Sequence, residues 1–183
     1  MADTLLDIVN GNDEIIGQAL RSEIHAKGLL HREIHVWFIT PDKQVIFQKR
    51  SMKKETNPGL LTTAVGGHVE LGASYDETAL VETMEETGRQ VKAEDMIRLG
   101  KFYSESFHPK TNVHNRALRA LYGVVFKGDI NELRIEQGDA EGFIALAFSD
   151  LSPPSKDLKK QMSPKLLEEE FPLIKEALKN LVS

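Results

Sequence analysis

The chain has 183 residues, 40% hydrophobic and 28% charged, which is enough to bury a core as a single domain over 1–183. Its formal net charge of −5 argues against a surface that tracks nucleic-acid polymers or anionic lipid, so any anion must be held by a local basic cluster. There is no cysteine, which excludes disulfides, thiolate metal sites and a cysteine nucleophile or acid, and the start "MADTLLDIVNGNDE" has no basic region leading into an apolar run. With no run of about 18 apolar residues either, the expectation is a cytoplasmic protein with no membrane partner.

In chain order, "LLDIVN" and "EIIGQAL" read as strands flanking the turn formers "GNDE". Ser22 is placed to cap a short helix through "EIHAK" that Gly28 ends. "HVWFIT" and "QVIFQKR", joined by "PDK", predict a hairpin, and "NPGLLTTAV" predicts one strand that ends at Gly66-Gly67. Ser74 followed by Glu77 has capping-box spacing, so a helix starts near Tyr75, and Gly88 suits the residue after it. Ala79, Leu80, Val81 and Met84 are expected to face the sheet. Further strands are expected at "LGKFYSES", "ALRALYGVVFKG" and "GFIALAF". "SDLSPPSKD" reads as a connector, and helix is expected from about 156 to 183, with Ser163 as a cap, Pro164 at a first position and Pro172 interrupting or restarting it. The whole predicts a three-layer α/β or α+β domain.

The chemistry gathers in "VGGHVELGASYDETALVETMEETG". Glu82, Glu85 and Glu86 stand at i, i+3, i+4 on one helical face, where unscreened carboxylates repel and a shared cation would relieve them. A hard ion such as magnesium takes oxygen ligands and leaves places for substrate phosphates. Gly66 can add a backbone carbonyl, since no Cβ keeps the main chain away from the ion. Arg50, Lys53 and Lys54, at a strand end, can clamp phosphates as charge-assisted donors. A solvated acidic face and an ordinary basic strand end are the alternatives.

This stretch resembles the Nudix box, which here spans residues 67–89. Counting from Gly67, Glu82, Glu85, Glu86 and Gly88 match the pattern, while Ala73 stands in place of its first Glu, Val81 in place of its Arg, and Thr83 and Arg89 in place of aliphatic residues. The resemblance implies an α/β/α sandwich with a mixed β-sheet and a magnesium- or manganese-dependent hydrolase of small-molecule diphosphates. It makes Glu82, Glu85 and Glu86 the metal ligands, assisted by the Gly66 carbonyl. Val81 removes the Arg that in the family orients the glutamate after it, Glu82 here, which implies weakened turnover.

Beyond the box, residues 7–69 resemble the branch that includes isopentenyl diphosphate isomerase and its hydrolase-like relatives. The resemblance places His25, His31 and His68 where the isomerases hold a metal, and Arg50 and Lys54 where they grip the diphosphate. It also places Gly66 where they carry a cysteine acid. "TNVHNRALRALYG" lacks their glutamate pair and carries Arg116 and Arg119 instead. The hydrolase-like relatives are therefore the closer match, and His25 and His31 are expected to pack or hydrogen-bond, with His68 the better candidate for substrate contact. Trp37 and Phe38 are expected in the core, and Arg116 and Arg119 near the cleft. The expected mechanism has water attack one phosphorus while Glu82 or Glu85, or Glu141, takes its proton and Arg50 and Lys54 hold the distal phosphate. An isomerase-like enzyme, or a binding module that holds a nucleotide without cleaving it, is the alternative, and a homodimer is plausible.

Overall fold

A computed structural model describes residues 3–54, 56–135 and 138–182; residues 1, 2 and 183 of the expected domain lie outside these. Strands β1 (Leu5–Val9) and β2 (Ile15–Leu20) form a separate antiparallel hairpin. Its tip is latched to the rest of the chain by Asp13, which binds Arg32 Nε at 2.6 Å and Lys101 Nζ at 2.7 Å and accepts from the Tyr75 hydroxyl. Helix α1 (Arg21–Lys27) follows at once and stops at Gly28, whose φ of 63° is left-handed. Ser22 does not cap it. The residue sits inside the first turn, and its hydroxyl and amide both bind Asp3.

Strand β3 (Leu30–Ile39) is the spine of a seven-stranded mixed sheet. It runs parallel to β8 (Val113–Val125), which pairs antiparallel with β7 (Ile97–His108). On its other side β3 meets β4 (Gln44–Arg50) only at Phe38 and Ile39, so the predicted hairpin forms and then splays open. The splay is filled by what was expected to be one strand. At Ala64 the chain changes partner: β5 (Leu61–Thr63) pairs with β4, and β6 (Val65–His68) pairs with β3 and runs through both glycines to His68. A single strand cannot bond to two diverging neighbours, and Thr63 secures the crossing by donating its hydroxyl to the Val36 carbonyl at 2.8 Å. Strand β9 (Ala140–Ala147) closes the outer side of β4.

Alternation along β3 builds a core on each face. Ile34, Val36 and Phe38 pack with Val65, Tyr122 and Val124 beneath helix α2 (Tyr75–Thr87). Trp37 and Ile39 pack on the opposite face with Leu121 beneath helix α4 (Phe171–Asn180), which contributes Phe171, Ile174 and Leu178. Trp37 and Phe38 are thus both core, on opposite faces. The inner stripe of α2 is only partly the expected one: Ala79 and Leu80 do pack on the core. Val81 and Met84 are 53% and 48% exposed, whereas Thr78, Ala79, Thr83, Glu86 and Thr87 are buried. At 100° per residue Val81 and Met84 lie far from Ala79, and the threonines can be buried because Thr83 and Thr87 return their hydroxyls to the carbonyls one turn back.

The C-terminal segment begins with α3 (Lys156–Gln161), capped by Ser155. The Ser163 hydroxyl accepts from Asn57. Pro172 restarts the helix, as one of the two expected outcomes, and sits in the first turn of α4. A π-turn at Leu166–Glu170 precedes α4, and this wide turn absorbs the amide that proline lacks. It also turns Glu170 inward, leaving it 1% exposed.

Candidate functional site

Helix α2 is fixed before it reaches the glutamates. Ser74 and Glu77 complete the capping box, and Gly88 ends the helix at φ 68° with its amide on the Met84 carbonyl. Glu86 is buried at the splay of the sheet, where Oε1 accepts from the Gly66 amide at 3.2 Å and Oε2 from Gln48 Nε2 at 2.7 Å. Glu82 lies against Gly67 so closely that a Cβ there would collide with its carboxylate. Glu85 is exposed on the same helical face. This donor set, hard carboxylate oxygens beside a backbone with no side chain in the way, fits a divalent ion such as magnesium or manganese. Gly66 serves the patch through its amide, which orients Glu86.

A second cluster lies on the α4 face of the sheet. The ring nitrogens of His25 from α1, His31 from β3 and His68 from β6 come within 4.8 Å of one another. His25 Nε2 is 3.1 Å from His68 Nε2, and His31 and His68 stack at 5.1 Å. Burial, reinforced by His31, lowers His25 to about 4, and burial lowers His68 to about 3, so both rings are neutral with lone pairs to offer. His25 Nδ1, His31 Nε2 and the Asn115 Oδ1 beside them are buried without a hydrogen-bond partner. A set of imidazoles with orphaned atoms fits a transition ion such as zinc or manganese. The expectation that His25 and His31 pack or hydrogen-bond therefore missed their convergence with His68. The signal lay in the strand register, because β3 starts at Leu30 and β6 continues past the glycines, so that His68 stands opposite Glu33 and next to His31.

Glu33 joins this cluster to a buried charge chain absent from the expected site. Its Oε1 is 3.5 Å from His31 and from His68 and accepts from Asn115 Nδ2 at 2.9 Å; its Oε2 binds Arg119 at 2.6 Å. Arg119 also reaches Glu170 at 3.3 Å, and Glu170 accepts from Trp37 Nε1 at 2.7 Å and pairs with His35 Nδ1 at 2.8 Å. Burial would raise both carboxyls, but Arg119 holds Glu33 well below the usual range, and His35 with Arg119 does the same for Glu170. Arg119 is therefore held inside this charge chain, whereas Arg116 turns to the surface, to the Tyr103 hydroxyl and the Gly28 carbonyl.

The basic residues are arranged less directly. Arg50 is half-buried, bound to the Thr56 carbonyl at 3.0 Å; burial pushes it down while the charges of Asp139 and Glu86 support it. It stays within electrostatic reach of the acidic patch. Lys54 is paired with Asp139 at 2.5 Å, so a phosphate would have to compete for it. Lys53 is exposed. Glu141 is held by Lys49 at 2.9 Å and by the Met52 amide.

A family model described as the NUDIX domain matches residues 29–166. An uncharacterised Nudix hydrolase of Clostridium acetobutylicum is 28% identical over 155 residues, covering 83% of this chain and 74% of the relative. One from Streptomyces coelicolor is 44% identical over 87 residues, 48% of each chain, so this chain spans only about half of that relative. Among solved structures, the Deinococcus radiodurans protein DR0079 superimposes with a TM-score of 0.66 at 22% identity, over 90% of this chain and 95% of that one, which shows a common fold.

Proposed function

Because the chain belongs to the Nudix family, we propose that it is a divalent-metal-dependent hydrolase cleaving the diphosphate linkage of a nucleoside diphosphate derivative or a related small molecule. The observation that carries this reading is the placement of Glu86. A buried carboxylate held by the Gly66 amide and Gln48, with Glu82 against Gly67 and Glu85 beside them, is an oriented acidic patch rather than a solvated helix face. Glu82, Glu85 and Glu86 would hold magnesium or manganese, which supplies neutralisation of charge on the diphosphate oxygens when bound.

The chain's own groups do the rest. Gly66 and Gln48 fix Glu86 so that no reorganisation is needed when substrate arrives. Glu82 and Glu85, the carboxylates not tied to Gln48, are the residues on which turnover depends most. Arg50, held by Thr56, would grip the distal phosphate, joined by Lys54 on release from Asp139, with His68 as a further substrate contact. Incubation with magnesium and a panel of nucleoside diphosphate derivatives, dinucleoside polyphosphates and prenyl diphosphates should release monophosphate products. Glu86→Gln and Glu85→Ala should lower the rate by at least about 100-fold, as expected for loss of a charge-stabilising group. A wild-type chain inactive on the whole panel, or unaffected by Glu86→Gln, contradicts the proposal.

The histidine cluster favours a second reading, an isomerase-like enzyme acting on a prenyl diphosphate. Against it stand the absence of cysteine, with Gly66 in the strand where an acid would be needed, and Arg116 and Arg119 in the region of the glutamate pair. Conversion of isopentenyl diphosphate without phosphate release would select it.

A further inference from the structure

We propose that His25, His31, His68 and Glu33 form a second, structural metal site, four-coordinate and suited to zinc, with Glu33 as its carboxylate ligand. Its ligands come from α1, β3 and β6, and α2 with its acidic patch takes no part. The site is independent of the hydrolase reading.

The donors are spaced as ligands around one ion. A tetrahedral ion bound at about 2.0–2.2 Å keeps its ligand atoms about 3.3–3.6 Å apart. His31 Nε2 and His68 Nε2 each lie 3.5 Å from Glu33 Oε1, and His25 Nε2 lies 3.1 Å from His68 Nε2. The three imidazoles keep one ligand atom each within 4.8 Å of the others. A charge-assisted hydrogen bond from imidazole to carboxylate would close to about 2.7–2.9 Å. At 3.5 Å from two rings at once, Glu33 is instead separated from them as one ligand is from its neighbours. His31 Nε2 is moreover buried without a hydrogen-bond partner among the described residues.

Each donor is held from behind, as metal ligands are. His31 Nδ1 lies 3.1 Å from the Leu29 carbonyl, which can only accept, so the hydrogen is on Nδ1 and Nε2 faces the site. Glu33 Oε2 is committed to Arg119 at 2.6 Å, which leaves Oε1, steadied by Asn115 Nδ2 at 2.9 Å, as a single ligand oxygen. His68 engages through Nε2 and keeps Nδ1 for the substrate contact named above.

Burial closes the site. The His31 side chain is fully buried, and those of Glu33 and His68 are 9% and 19% exposed. Four protein ligands leave no place for water or substrate, which is how structural zinc differs from catalytic zinc. Three imidazoles and one carboxylate also suit zinc over magnesium, which prefers oxygen ligands in an octahedron. The histidine cluster then needs no isomerase activity to account for it. The site supplies a cross-link that ties α1 to β3 and to the end of β6, the strand whose Gly66 and Gly67 receive Glu86 and Glu82.

The test strips the full chain with a chelator and titrates it with cobalt(II), whose visible band is intense in a four-coordinate site and weak in a six-coordinate one. The wild type should develop the intense band at one equivalent, and zinc should abolish it and raise the thermal midpoint. His25→Gln, at a half-buried position, should remove the band. Glu33→Gln should weaken cobalt binding about 100-fold or more, beyond the roughly 10–100-fold that loss of an outer partner costs. Glu85→Gln should leave the band unchanged. A wild type with only the weak band, a band that survives His25→Gln or Glu33→Gln at full affinity, or one lost in Glu85→Gln overturns the proposal. Should the His25 or Glu33 variant not fold, Asn115→Ala decides by its cobalt affinity, expected to fall about 10–100-fold and contradicting the proposal if unchanged. Because the readout is spectroscopic, a chain inactive on the whole diphosphate panel removes the hydrolase reading and leaves this site standing.

Discussion

Residue by residue, two adjacent glycines do different work because successive positions of a strand face opposite ways. Gly67 gives its missing side chain to Glu82 on the α2 face, while Gly66 leaves space before His35 on the other and offers its amide to Glu86. Position 81 shows what the box substitutions cost. Val81 is exposed, so an arginine there meets no steric barrier, and Ala73 packs at the edge of the core near the start of the same helix. Val81→Arg combined with Ala73→Glu should raise kcat about tenfold if the patch is a weakened catalytic site, the equivalent of one ion-pair-sized contribution of about 1.4 kcal/mol. An unchanged rate in steady-state assays would instead favour a site that binds without cleaving.

Taken as elements, the histidine cluster depends on three segments meeting: α1, the start of β3 and the end of β6. The Asp13 latch and the left-handed Gly28 bring α1 to the sheet. The cluster makes stability depend on pH with a definite sign. His25 and His68 sit at about 4 and about 3 in the folded chain, chiefly through burial, against 6.5 for the free side chain. Between those values the unfolded chain takes up protons that the folded chain refuses. The histidine contribution is therefore fully present above pH 6.5 and is lost as pH falls toward 4 and then 3, at up to about 1.4 kcal/mol per unit per group. Thermal melts of chelator-treated protein from pH 7.5 to 4.5 should show a midpoint that declines below 6.5, more shallowly in His68→Gln; a flat wild-type profile would refute the neutral, buried state of these rings.

For the whole molecule, the site is a consequence of layering. Helix α4 and the π-turn cover one face of the sheet with Phe171, Ile174 and Leu178, and the same turn delivers Glu170 to His35, Trp37 and Arg119. Leu178→Ala, at a fully buried position, should cost about 2–5 kcal/mol in urea unfolding. A cost below about 1 kcal/mol would mean that α4 does not close this face.

The sequence by itself determined the local matters: where strands alternate, where Ser74 and Gly88 bound a helix, that three glutamates share its face, and that cysteine chemistry is absent. These follow from short-range sterics and hydrogen bonding, which neighbouring residues set among themselves. Tertiary structure alone decided that "LLTTAV" splits at Ala64 between two partners, that α2 buries threonines while Val81 faces solvent, and that His25, His31 and His68 meet. It also decided that Glu170, 135 residues from His35, becomes its partner. Strand register and helix rotation settle such pairings, and these are fixed by which faces the sheet and its covering helices must bury together, a condition that no local stretch of sequence carries.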